Sequence, residues 1–190
     1  ITVEGEFINN GVIPNRWLSF NIYGNITNNN LFMVANLNFI GANDFKIKTA
    51  TNKYIDCSSL YVNDGKLIAD SDLYIKVSTF VAKEFNLSNY NVIALDTRFG
   101  LWNAPFQTKI VGNTNSITMY HSNFGGWYEN CHLQDIKLKG KSVLGNNIVF
   151  YGTVTNKDSL MNMDSPAYQY LVNVEGNLIN EGYVGYIKGF

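Results

Sequence analysis

Apolar and polar residues alternate with a period of two along most of this chain, the spacing that puts successive side chains on opposite faces of a strand. Phe45-Lys46-Ile47-Lys48 and Leu73-Tyr74-Ile75-Lys76-Val77 are clear cases. Helical periodicity of 3.6 residues is not sustained beyond a turn or two anywhere. Strands are therefore predicted at 31–34, 37–40, 45–48 and 54–62, with turn signals at 41–44 and at Asn63-Asp64-Gly65 and an earlier one at Pro14-Asn15, within residues 1–30. From 67 to 87 a series of short alternating runs predicts further strands. A single helix over 67–87 is the alternative, and the β-branched and aromatic content weighs against it.

A phrase of the form apolar-x-Gly-x-apolar-(Ile/Thr)-Asn recurs four times on this alternation. It reads Val3-Glu4-Gly5-Glu6-Phe7-Ile8-Asn9, Ile22-Tyr23-Gly24-Asn25-Ile26-Thr27-Asn28, Phe150-Tyr151-Gly152-Thr153-Val154-Thr155-Asn156 and Val174-Glu175-Gly176-Asn177-Leu178-Ile179-Asn180. The apolar residues and the glycine are expected to share one strand face, and the asparagine to turn the chain in a left-handed conformation. Gly5 to Gly24 spans 19 residues, Gly152 to Gly176 spans 24, and Gly24 to Gly65 spans 41, about two such periods. Intervals of this size suit a solenoid, whose repeats bury their apolar faces only against their neighbours. The fold class is therefore all-β, with one β-solenoid domain over 1–190. Many short strands at this spacing also suit an antiparallel β-sandwich or jelly roll, which stays the alternative architecture.

Composition narrows the function classes. The 190 residues suffice for a sizeable core, and the formal net charge of -1 offers no basic footprint for nucleic acid. Charged residues are only 15% of the chain while Asn numbers 28, so polarity is carried by amides and hydroxyls. No apolar run approaches the ~18 residues of a membrane span, so membrane insertion through a helix is not expected. The start at Ile1 and the uncapped end at Phe190 suggest a piece of a longer protein, or one that stacks on a partner.

The glycine-and-asparagine phrases resemble those of large secreted bacterial β-solenoid adhesins of the filamentous-haemagglutinin type, as does Gly65-Lys66-Leu67-Ile68-Ala69-Asp70 with its sequel. The stretch from Asn130 to Gly140 resembles rungs of phage tailspikes and pectate-lyase-like helices. Together these cover about half of the chain, and their motifs are degenerate. The resemblance implies a right-handed parallel β-helix in an extracellular, cell-surface or virion-surface protein that recognises a glycan or a host receptor. A homotrimer or stacking with further repeats would follow from the tailspike likeness. No catalytic motif of these families is present, so no catalytic residue carries over.

Candidate chemistry gathers in an irregular, aromatic-rich excursion at about 96–128. Sugars present C–H faces and hydroxyls, which flat rings and amides meet. Trp102, Asn103, Tyr120, His121, Trp127 and Tyr128 offer both kinds of group and are the candidate ligand-binding residues. The same rings could equally pack beneath a long loop. If the chain is instead a polysaccharide-degrading enzyme, a carboxylate pair is required at about 5–9.5 Å. Asp70 and Asp72 on one strand face would lie about 6–7 Å apart, and with carbonyls they could hold calcium. No other cofactor is implied. A Ser122-His121-Asp96 triad lacks any supporting motif. Cys57 and Cys131 are expected as small buried side chains at equivalent rung positions, and His132 as a strand residue facing solvent. The leading expectation is a non-enzymatic recognition module, with a glycoside hydrolase or lyase and a structural spacer of a stalk or fibre as alternatives.

Overall fold

In the computed structural model, residues 1–100, 107–125, 131–145, 148–162 and 172–185 are described. They form strands and corners with no helix, wound into about eight stacked turns of a β-solenoid. Each turn presents three strand faces, called A, B and C in the order in which the chain meets them. Every strand pairing among the described residues is parallel. Face A runs Thr2↔Asn21, Asn21↔Asn38, Asn38↔Tyr61 and Tyr61↔Val81. On face B, Leu67↔Phe85, Phe85↔Ile110, Ile110↔Leu133 and Leu133↔Phe150 stack in the same way. Face C stacks Ile13↔Phe32, Phe32↔Ile55, Ile55↔Ile75, Ile75↔Ala94 and Ala94↔Met119. The sandwich alternative, which needs antiparallel neighbours, is excluded by this register. So is the helix over 67–87, where the strands Ile55–Ala69 and Leu73–Asn86 stand.

The turn length varies. Phe20 to Leu37 is 17 residues, whereas Phe85 to Ile110 is 25. The faces absorb none of this variation, because the ladder fixes their length; the corners take it all. Inside, each face contributes columns of apolar side chains. Phe20, Leu37, Leu60, Phe80, Phe99 and Phe124 lie one above another, all buried. Neighbouring rings meet at 5.1 Å between Phe80 and Phe99, and at 5.3 Å between Phe99 and Phe124. Full burial of each such side chain is worth about 1.5–3 kcal/mol.

The recurrent phrase turns out to be a corner rather than one strand. Val3 ends face A and Phe7–Asn9 lies on face B, with Gly5 in the bend between them. Ile22, Gly24 and Ile26–Asn28 repeat this one turn higher. A β-carbon on Gly24 would sit 2.5 Å from the carbonyl oxygen of Gly5, and one on Gly176 would sit 2.1 Å from that of Gly152. Glycine is thus required by the turn below, not by the strand face. The later pair of phrases has moved to a different edge. Phe150 and Val174 lie on face B, and Asn156 and Asn180 end face C. One corner design therefore serves two edges of the coil.

The closing asparagine does not turn the chain in the left-handed region. Asn9, Asn28 and Asn156 point inward and are buried. Asn9 donates through Nδ2 to Asn28 Oδ1 at 2.8 Å, Asn28 donates to the Tyr54 carbonyl at 3.2 Å, and Asn156 donates to Asn180 Oδ1 at 2.7 Å. Amides stacked at one pitch bond to each other as a ladder, which satisfies polar groups at a buried corner. Two turn signals also differ. Pro14-Asn15 lies within the strand Ile13–Ile22, and the corner follows as a register shift between Asn15 and Ser19. Proline is tolerated there because the Ile13 N–H, not that of residue 14, is the one that bonds the turn above, at the Leu31 carbonyl. Asn63-Asp64-Gly65 likewise sits in the strand Ile55–Ala69, at a shift between Val62 and Lys66.

The ladder predicts an asymmetric cost. Asn28→Ala strips the acceptor from the Asn9 amide and the donor from the Lys53 and Tyr54 carbonyls inside the corner and is expected to cost about 2 kcal/mol, lowering Tm by about 4–8 °C. The exposed neighbour substitution Asn29→Ala should leave the midpoint nearly unchanged. Thermal unfolding followed by circular dichroism checks both.

Candidate functional site

The long connections of the upper turns all leave the coil at one edge. In the lower turns face A passes to face B through short corners, as from Val3 to Phe7 or from Ile22 to Ile26. Higher up, the same step runs from Phe99 to Thr108, from Phe124 to Cys131 and from Asn162 to Val172, while the turn between the last two keeps a short step from Leu144 to Ile148. The departure points are stacked. Gly100 donates its N–H to the Phe80 carbonyl at 2.7 Å, Gly125 to the Phe99 carbonyl at 2.6 Å and Gly145 to the Phe124 carbonyl at 2.7 Å. Gly100 and Gly125 take φ values of 108° and 68°, which an L side chain rarely adopts and glycine adopts readily. Trp102, Asn103, Trp127 and Tyr128 lie outside the described residues. Their connections nonetheless start and finish at neighbouring rungs, since Phe99 pairs with Phe124 and Thr108 with Cys131.

Tyr120 and His121 are placed elsewhere, at the edge between faces C and A. The excursion read from the sequence is therefore divided between two edges on either side of face A. Tyr120 is exposed on face C, and His121 follows it at φ 48° with its ring in solvent. His121 Nδ1 lies 3.7 Å from Asp96 Oδ1, and Lys76 Nζ lies 3.4 Å from Asp96 Oδ2. Ser122 is not a nucleophile beside them. Its buried hydroxyl accepts the Thr97 N–H at 2.9 Å and faces the Ala94 and Tyr120 carbonyls, so it closes the corner.

The carboxylate pair also falls in a corner instead of on a strand face. Asp70 and Asp72 flank Ser71 between the strands Ile55–Ala69 and Leu73–Asn86. Asp72 accepts the Asn91 N–H at 2.8 Å, and Asp70 stands 4.0 Å from Lys46 Nζ. A carboxylate that accepts a corner N–H from a neighbouring turn is a repeated device here, since Asp135 holds the Thr153 N–H and Asp158 the Gly140 N–H, both at 2.8 Å. Among the described residues no three His, Cys, Asp or Glu side chains gather as ligands of a metal ion.

Cys57 and Cys131 are both buried but not equivalent. Cys57 stacks on Val34 and Val77 on face C, while Cys131 stacks on Thr108 and Ile148 on face B. Four turns separate them, about 19 Å at the strand spacing, beyond the reach of a mutual disulfide. Burial pushes the Cys57 thiol well up, chiefly by desolvation. His132 does face outward, on face B, but its ring packs edge-on to Tyr151 at 5.2 Å and is half-buried. Desolvation lowers its pKa, with Glu175 opposing and Lys109 adding to the shift.

The outward sides of the three faces differ in chemistry. Face A carries neutral amides and hydroxyls in its lower turns, with Asn36 donating to Ser19 Oγ at 2.8 Å and Asn38 to Asn21 Oδ1 at 3.0 Å, and exposed basic residues higher up at Arg98 and Lys141. Face B alternates charge, with Glu84 between Lys66 at 3.2 Å and Lys109 at 3.9 Å. Face C is the apolar one, where Tyr54 and Tyr74 meet at 5.6 Å. Tyr54, Tyr74 and the fully solvated Trp17 were not singled out by sequence reasoning. Aligning the chain on the register, so that Tyr54, Tyr74 and Ile93 share one column, would have found the stripe.

Because His132 is harder to protonate folded than unfolded, the unfolded chain binds more protons below about pH 6.5. Its contribution is intact above that value and is lost as the pH falls through it. The fall in Tm from about pH 7 to about pH 5 is expected to be smaller in His132→Gln than in the parent. Comparison of the chain with family models, curated proteins and solved structures returns no match, so what it does is inferred from its own geometry.

Proposed function

We propose that this chain is a non-enzymatic recognition module, an extracellular β-solenoid of the adhesin or tailspike kind on a cell or virion surface. Its partner is a glycan, free or on a host receptor. The observation that carries this reading is the stacking of the departure points Gly100, Gly125 and Gly145 on one edge. That edge launches the two connections bearing Trp102, Asn103, Trp127 and Tyr128 from adjacent turns. A rigid stack that offers its variable segments at one border is how scaffolds generally carry binding loops. Asp72 has a structural partner at the Asn91 N–H, which weighs against the hydrolytic alternative.

Binding of the fluorescent chain to an array of neutral and acidic glycans tests this. The parent is expected to bind a defined subset, and Trp102→Ala and Trp127→Ala to weaken that binding by at least about tenfold. Loss of neither, or no binding to any surface, would favour a spacer. Release of reducing ends from the bound polysaccharide, abolished by Asp70→Asn or Asp72→Asn, would restore the enzyme.

A further inference from the structure

The outward side of face C is a patch confined to six consecutive rungs. Along one column stand Val12, Leu31, Tyr54, Tyr74, Ile93 and Thr118, and along the next Pro14, Met33, Asp56, Lys76, Leu95 and Tyr120. Above these the face turns basic at Lys137 and Lys139, which pair with Ser116 and Thr118. At the lower corner Trp17 is 92% exposed, with only its backbone engaged, to Asn15. Scattered exposed apolar residues are ordinary on a protein surface, but a contiguous aromatic and aliphatic stripe with a polar rim marks a contact surface.

The charges at this patch say what covers it. Arg16 pairs with Asp56 at 3.2 Å and Lys76 pairs with Asp96 at 3.4 Å, while Asp56 and Lys76 are neighbours in register. Read up the stack, the order is plus, minus, plus, minus. Read down, it is minus, plus, minus, plus, and the adjacent Asp56 and Lys76 at its centre are the complement of their own reversal. We propose that face C is an isologous dimer interface between two copies of this chain, stacked face to face with their turns in opposite order. A two-fold axis along the strands, between the Asp56 and Lys76 rungs, places each copy's Asp56 opposite the other's Lys76.

The apolar columns agree with that axis. Tyr54 lies over the other copy's Tyr74, Leu31 over Ile93 and Met33 over Leu95, so apolar side chains meet apolar side chains throughout. Trp17, at the first rung, falls over Tyr120 and His121 at the sixth, an aromatic anchor of the kind that dominates interfaces. Isologous contacts of this sort close on themselves and do not propagate into fibres. Six rungs by the width of one face and its corner cover about 500 Å² per copy at the strand and residue spacings. That total of about 1,000 Å² sits at the low end for a specific interface, so the dimer is a dissociable one. It leaves the edge between faces A and B, opposite face C in a three-sided coil, pointing outward in both copies. The dimer stands independently of what that edge binds.

Sedimentation velocity from low micromolar to near-millimolar chain tests it. The mass should rise from the 21.4 kDa of one chain toward twice that value. Trp17→Ala, at a solvated position that leaves the fold intact, should weaken association by at least about tenfold. Lys76→Glu and Asp56→Lys should each weaken it, because each opposes like charges twice. An equimolar mixture of those two variants should associate more tightly than either alone, since reversed partners then meet. A chain that stays monomeric, an assembly indifferent to Trp17→Ala, or a mixture no tighter than its components overturns the proposal.

Discussion

Parallel strand pairing without offset is the constraint from which everything else in this molecule follows. Each residue on a face sits directly above its partner in the turn below, at the spacing of hydrogen-bonded strands. Side-chain chemistry is therefore organised in columns. A column of phenylalanines becomes a stack of rings, a column of asparagines becomes a ladder of amides, and a column of lysines would be a line of repulsion. The chain meets that last hazard by alternating sign, as Lys66, Glu84 and Lys109 do on face B and Asp56 and Lys76 do on face C.

Because the faces cannot change length without breaking the ladder, all variation is pushed into the corners. Corners bring buried backbone groups with them, and those groups need partners. The partners come from a small set of devices: the inward asparagines, the carboxylates of Asp72, Asp135 and Asp158, and the hydroxyls of Thr97 and Ser122. Residues that looked like chemistry in the sequence are in this way absorbed by structure. The edge between faces A and B is the exception, where glycines release the chain instead of tightening it.

The three outward faces then divide the work. Neutral amides line the lower turns of face A, alternating charges hold face B, and the aromatic stripe lies on face C. The proposed binding edge and the proposed association face can coexist on so small a molecule because the coil separates them by its own thickness. Pairing through face C would present two binding edges at once, and two linked sites raise effective affinity without any new contact.

Alternation of period two and the four-fold refrain were enough to determine strands, stacking and a pitch of about 20 residues. These are properties of a local pattern repeated, and a ladder reads local patterns directly. Which edge each refrain occupies was not legible: the same letters turn face A into B at Gly5 and Gly24 but face B into C at Gly152 and Gly176. The role of Asn28 as a buried rung of a ladder, and the parting of Tyr120 and His121 from the edge that leads to Trp102, were equally hidden. Those facts depend on which residue lies above which. With turns of 17 to 25 residues the register accumulates through every unequal corner, and only the folded coil adds them up.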